Sequence, residues 1–208
     1  MKTRTLKPHL ATMLRAAALG ALMVPVLHAA PSFDCARVAA GSIAERVCRD
    51  PELARLDRQL AEVYAAAQDK ARNEHPATLR AEQRGWIKGR DDCWKSTDIT
   101  ACVAHGYQRR IAELQARYRL LPPTGTDRYA CQGDSRNELL LSWFATQPAT
   151  VYAERGDSVS WMFREAQPAP VGGVLYIGRN ESLRLHNPDQ LWLRWGVDAT
   201  EITCVKQP

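Results

Sequence analysis

The chain has 208 residues, 45% of them hydrophobic and 25% charged, which is the balance of an ordinary folded protein. That composition excludes a low-complexity chain, a collagen-like repeat and a polytopic membrane protein. The formal charge of +5 is concentrated at the start: residues 1–30 hold Lys2, Arg4, Lys7 and Arg15 and no acid, so the rest of the chain carries a net of only +1. The high isoelectric point therefore belongs to the leader and offers no basic face for nucleic acid.

The first thirty residues read as a secretory signal: a basic stretch to Arg15, an apolar run from Ala16 to Leu27, and His28-Ala29-Ala30 as a small-residue cleavage region, with cleavage expected after Ala30. The apolar run is too short for a spanning helix, which needs about 20 residues. The expected location is therefore the periplasm or the exterior, with no stable membrane span. The six cysteines, Cys35, Cys48, Cys93, Cys102, Cys131 and Cys204, all follow the leader, and an even count in an exported chain reads as disulfides. Cys102 and His105 share a C-x2-H spacing, but no second short-spaced pair accompanies them, so no metal and no cofactor are expected.

The chain changes character at Leu121-Pro122-Pro123-Thr124-Gly125. Residues 31–120 have helical patterning, residues 121–127 read as a linker, and residues 128–208 alternate. The expected fold class is thus α + β in separate domains: a disulfide-linked helical hairpin or bundle, then a small antiparallel β-barrel. Asp50-Pro51 opens the first long helix as cap and first helical residue. Its apolar stripe is Leu53, Leu56, Leu60, Val63, Tyr64 and Ala67. His75-Pro76 interrupts the chain, and Leu79, Gln83, Trp86, Ile87, Arg90 and Cys93 then share a second helical face. Ser96-Thr97-Asp98 caps a third helix with the stripe Val103, Tyr107, Ile111, Leu114 and Tyr118. If the first two of these helices pack as an antiparallel hairpin, Cys48 and Cys93 meet at one end, which leaves Cys35 for Cys102.

In the second half, period-2 runs at Leu139 to Trp143, Val159 to Phe163, Leu183 to Leu185 and Leu191 to Trp195 are of strand length. Turn signals separate them at Gln147-Pro148, Gly156-Asp157, Gln167-Pro168, Gly178-Arg179-Asn180 and Asn187-Pro188-Asp189. Cys131 falls in the first strand and Cys204 in the last, so a bond between them would tie two edges together. The chain after the leader has three histidines, His75, His105 and His186, and none lies in a nucleophile elbow, a metal-binding helix motif or a phosphate loop. No enzymatic activity is expected.

The helical half resembles the LprI family of lysozyme inhibitors over residues 34–118. The resemblance rests on Cys35, Glu45, Cys48, Asp50-Pro51, Leu53, Leu56-Asp57, Tyr64, the block Gln83-Arg84-x-Trp86 followed by Arg90-Asp91-x-Cys93, and Cys102, Tyr107, Arg110-Ile111 and Leu114. The β half resembles the MliC family, barrel-shaped inhibitors of c-type lysozyme, over residues 129–204. That resemblance rests on Tyr129-x-Cys131, on Gly173 and Tyr176 in a G-x-x-Y pattern, on Trp192, Gly196 and Ala199, and on Cys204. Gly172 stands where that family has a serine, and Trp195, directly before Gly196, where it has a lysine; Arg194 is one residue earlier. The resemblance implies that Gly172, Gly173, Tyr176, Trp192, Arg194, Trp195 and Gly196 contact lysozyme. Together the two resemblances imply an exported inhibitor of c-type lysozyme that occludes the enzyme's cleft. The alternative is a periplasmic structural or interaction module without lysozyme inhibition. The sequence leaves the oligomeric state open.

Overall fold

The computed structural model describes residues 30–75, 77–169 and 172–208. The expected leader lies outside the described residues except for Ala30. Four α-helices come first: α1 (Ile43–Arg49), α2 (Pro51–Lys70), α3 (Leu79–Asp91) and α4 (Ile99–Arg117). Eight strands follow: β1 (Gly125–Cys131), β2 (Asp134–Phe144), β3 (Thr150–Arg155), β4 (Ser158–Arg164), β5 (Val174–Ile177), β6 (Glu181–Asn187), β7 (Gln190–Trp195) and β8 (Ile202–Lys206). They form a closed barrel in which every neighbour is antiparallel and β8 returns to β1. Among the described residues no helix is long and apolar enough to cross a membrane.

Local chemistry sets the helix starts. The Asp50 carboxylate accepts from the backbone N–H groups of Glu52 and Leu53, and Pro51 takes the first position of α2. Asp98 caps α4 by accepting from the Ala101 N–H. Helix α1 is an addition to the expected set. Ser42 caps it by accepting from the Glu45 N–H, and the Glu45 carboxylate reaches back to the Gly41 N–H. This is a near relative of the capping box, and Ser42-x-x-Glu45 is its sequence signal.

The helices bury Leu53, Leu56, Leu60, Val103, Tyr107, Ile111 and Leu114 in one core. Helix α2 lies along α4, and α3 packs against α4 and the end of α1 rather than along α2. That arrangement corrects the expected disulfides. The bonds are Cys35–Cys48 and Cys93–Cys102, not Cys48–Cys93 and Cys35–Cys102. With no α2–α3 hairpin, Cys48 and Cys93 have nothing to bring them together. The chain instead folds back locally at Cys35–Arg37 and at Asp92–Lys95, both 3-10 turns, and closes Cα–Cα gaps of 5.9 and 5.7 Å. The third bond, Cys131–Cys204, joins β1 to β8 across a directly paired position.

The barrel core holds Tyr129, Leu139, Leu141, Val151, Met162, Leu183, Leu191 and Leu193. Strand β1 begins at Gly125, inside the stretch read as linker, and the halves touch. On the outer face of β3 and β4, Tyr152 pairs with Trp161 and Thr150 with Phe163. Three arginines from α4 and the turn after it lie over these rings. Arg109 stands 4.4 Å from the Phe163 centroid, Arg117 5.2 Å from Trp161 and Arg119 5.9 Å from Tyr152. Arg117 also donates to Glu82 (2.6 Å) and Glu74 (2.8 Å), so one side chain ties α3, the turn after α2 and the barrel to α4.

Two outcomes follow from these crosslinks. Cys35→Ser with Cys48→Ser should lower the unfolding free energy by roughly 3 kcal/mol on the chain-entropy model, and non-reducing peptide mapping of the parent should recover Cys35 with Cys48. Arg117→Ala, which breaks two ion pairs and two ring contacts at once, should cost about 2 kcal/mol in urea unfolding.

Candidate functional site

Two places come under consideration: the barrel ends that carry the residues singled out in the sequence, and the face of the helical half between α1, α2 and α3.

In the barrel, strand register separates the singled-out residues. Val174 at the start of β5 pairs with Leu185 late in β6, and Arg194 late in β7 pairs with Ser182 early in β6. The Gly172-Gly173 turn and the Arg194-Trp195-Gly196 segment therefore sit at opposite ends of β6. They are separated by three residues of rise, about 10 Å along the strand, and by two strand spacings across it. The two segments do not share a rim. An intervening strand is the cause: a chain that enters β5 at one end of the barrel leaves β7 at the other. The end that faces Gly172-Gly173 carries the β6–β7 turn, with His186, Asn187, Pro188 and Asp189 exposed.

The side chains divide as strand alternation requires. Tyr176 is buried and meets Trp143 edge-on, with centroids 5.5 Å apart, so it belongs to the core and presents no surface. Trp195 packs against the same core, while Arg194 is exposed. Trp192 is half-buried on the outer face, with the Arg184 guanidinium 4.1 Å from its ring centroid and His186 edge-on at 4.8 Å. Arg184 also donates to Glu201 at 2.9 Å. Gly173 has φ +89°, and a Cβ there would stand 2.2 Å from the Leu185 carbonyl oxygen. The glycine is thus required by the close approach of two backbones. Gly172 is exposed with open space about it, and Gly196 donates its N–H to the Asn180 carbonyl.

In the helical half, an open cavity of about 430 Å³ is lined by Phe33, Leu60, Tyr64, Trp86, Ile87 and Arg90, among others. Ile87 is 39% exposed at this groove, and the Trp86 indole N–H is anchored on the Gly106 carbonyl at 3.3 Å. Beneath the groove runs a chain of polar groups in which Arg90, Tyr107 and Asp57 are buried. Arg90 donates to the Tyr107 hydroxyl (2.8 Å), and that hydroxyl donates to Asp57 Oδ1 (2.9 Å). Ser32 donates to Asp57 Oδ2 through both its N–H and its hydroxyl, at 2.6 Å each. Arg90 also grips Asp91 Oδ1 with Nε and Nη2. The Trp86 and Tyr107 rings meet edge-on at 5.2 Å, and the guanidinium lies 5.6 Å from each. Arg90 thus reaches Asp57 only through Tyr107, and Glu45 pairs with Arg49. Burial, partly opposed by Arg90 and reinforced by Asp57, holds the Tyr107 hydroxyl well above the ordinary tyrosine range.

Among the described residues no group of three or more histidine, cysteine, aspartate or glutamate side chains is placed to hold a metal. What the groove offers is binding: an apolar wall with a fixed cation at its edge. The sequence had marked Trp86 and Arg90 by their shared helical face. It missed Phe33, whose place depends on the N-terminal segment folding back over α2.

Residues 35–114 match the family described as Lysozyme inhibitor LprI, and apart from Phe33 the named groove residues fall within that span. No curated protein and no solved structure matches the chain. Tyr107→Phe should lower stability at neutral pH by about 1–3 kcal/mol, because Arg90 loses an acceptor and Asp57 a donor in a buried site. The sign with pH is set by the raised folded value. The folded chain keeps this proton where the unfolded chain releases it, so stability is full below about pH 10 and falls as pH rises further. Urea unfolding across that range should show a smaller alkaline loss in the phenylalanine variant.

Proposed function

We propose, from the LprI match over residues 35–114, that this chain inhibits c-type lysozyme outside the cytoplasm by covering the enzyme's cleft. The match to a lysozyme-inhibitor family is the observation that carries the reading. Three disulfides, with no free cysteine among the described residues, support an oxidising compartment.

The contact face we assign first is the groove beside Trp86 and Ile87, because it lies in the matched segment and combines exposed apolar surface with a rigid floor. Such a floor lowers the ordering cost of binding. The barrel supplies a second contact on this reading, in keeping with its resemblance to MliC-type inhibitors. There the exposed Arg194 is the cation available for a cleft that works through a carboxylic acid and a carboxylate. Arginine can meet a carboxylate with two parallel bonds, which a lysine at that place would not. Tyr176 has no direct part in this reading, and Trp192 contributes the outer-face surface it shares with Arg184.

The test is lysis of bacterial cell walls by c-type lysozyme with the purified chain added. Inhibition should appear at micromolar excess. Ile87→Glu should weaken it by about tenfold or more, since a charge at the centre of a packed contact costs 1.4 kcal/mol or more, and Arg194→Ala by a smaller factor. No inhibition would leave the interaction-module alternative in possession of the field.

A further inference from the structure

We infer that a second cavity of the helical half, beside Trp94, is a binding site for a neutral oligosaccharide. This cavity of about 470 Å³ lies where α1 meets α2 and where α4 begins, away from the groove over Trp86, with which it shares no lining residue. Its volume falls in the range of about 300–1,000 Å³ usual for small-molecule sites.

Trp94 is 66% exposed, an unusual state for the largest apolar side chain in a chain whose other tryptophans are at least partly packed. It is not loosely held. It directly follows the buried Cys93, inside the short loop closed by the Cys93–Cys102 bond and within the 3-10 turn Asp92–Lys95. The backbone that presents the indole is therefore fixed before any ligand arrives, which removes much of the ordering cost of binding. Lys95 Nζ lies 5.5 Å from the ring centroid and pairs with Asp92.

Ile43, Pro51 and Ile99 add apolar wall beside the indole, and the rest of the lining is polar. Ser42, Arg46, Arg49, Asp50 and Thr100 line the cavity with Trp94. Arg46 donates to the Thr100 hydroxyl at 3.3 Å, which braces α1 against α4 and leaves that hydroxyl a proton to donate. Asp50 uses Oδ1 for both of its helix-capping bonds, so Oδ2 remains as an acceptor. Arg49 is paired with Glu45 on one side and is otherwise widely exposed. The lining charges are two arginines against Glu45 and Asp50, so they balance, and the site favours neither an anion nor a cation.

One indole face surrounded by paired donors and acceptors matches the chemistry of a hexopyranose. A sugar ring has an apolar C–H face that gains from burial on an aromatic ring. Its rim of hydroxyls takes bidentate bonds from carboxylate and guanidinium groups. A protein partner would need a wider apolar area than one ring with Pro51 and Ile99 beside it provides. The inference is independent of the lysozyme reading, because the binding it describes needs no lysozyme.

The test uses the full chain and two probes, the β-1,4-linked tetrasaccharides of N-acetylglucosamine and of glucose, titrated by calorimetry and by the Trp94 indole N–H resonance. That resonance is assigned by its absence in Trp94→Ala. Saturable binding of either sugar with a shift of that resonance is the expected result. Trp94→Ala should weaken binding by about tenfold or more, as loss of an aromatic anchor does, Trp94→Phe should retain most of it, and Trp192→Ala should leave it unchanged. Because Trp94 is exposed, its replacement should leave the circular dichroism spectrum intact. Failure of both sugars to saturate by about 10 mM, an affinity too weak to count as a site, would overturn the inference. So would binding that survives Trp94→Ala.

Discussion

The helical half is organised around one buried carboxylate. Asp57 faces the core from α2, and a charge in that position is costly unless its oxygens are met by donors. Tyr107 from α4 and Ser32 from the N-terminal segment meet them, and Arg90 from α3 in turn holds the Tyr107 hydroxyl. Each bond has a narrow range of acceptable length and angle. The three helices and the leading segment therefore have little freedom to slide past one another. The groove above this chain of bonds is the space left once those positions are taken, which is why its floor is rigid while its lip, at Ile87, is open to water.

The same economy of arginines joins the two halves. The outer face of β3 and β4 carries Tyr152, Trp161 and Phe163, an apolar surface that would be poorly placed in water. Aliphatic side chains on α4 could cover it. Arg109, Arg117 and Arg119 cover it instead, with flat guanidinium groups that stack on rings and keep hydrogen-bonding edges for Glu74 and Glu82. Helices and barrel are thereby held in contact, so that a surface on one is presented in a fixed relation to a surface on the other. Barrel closure through β1 and β8, fastened by Cys131–Cys204, removes the exposed edges that an open sheet of this kind would carry.

Much of this was legible in the chain before folding was considered, and the limits of legibility have physical causes. Asp50-Pro51 and Asp98 announce helix starts because capping is settled within three or four residues. Ser42-x-x-Glu45 announces α1 in the same way, although the helix is short enough to pass unread. Of the strands, β3 and β5 are the least visible: Thr150–Arg155 has no clean alternation of apolar residues, and Val174–Ile177 is apolar throughout. With β5 and its turn to β6 unread, the sequence leaves open which barrel end Gly172 and Arg194 occupy. The odd count of strands from β5 to β7 sends them to opposite ends.

The sequence by itself determined most of the elements: where α2 and α4 begin, which faces are apolar, that the cysteines are crosslinked, and that a helical half precedes a β half. Periodicity and capping act over a few neighbouring residues, so the order of amino acids is enough to fix them. Only the tertiary structure decided which cysteines of the helical half pair, which barrel end each loop occupies, that Arg90 reaches Asp57 through Tyr107, and that the arginines of α4 lie on the barrel. Each of these depends on which helix lies against which and on how many strands intervene. Such distances are set by packing between residues far apart in the chain, on which local pattern is silent.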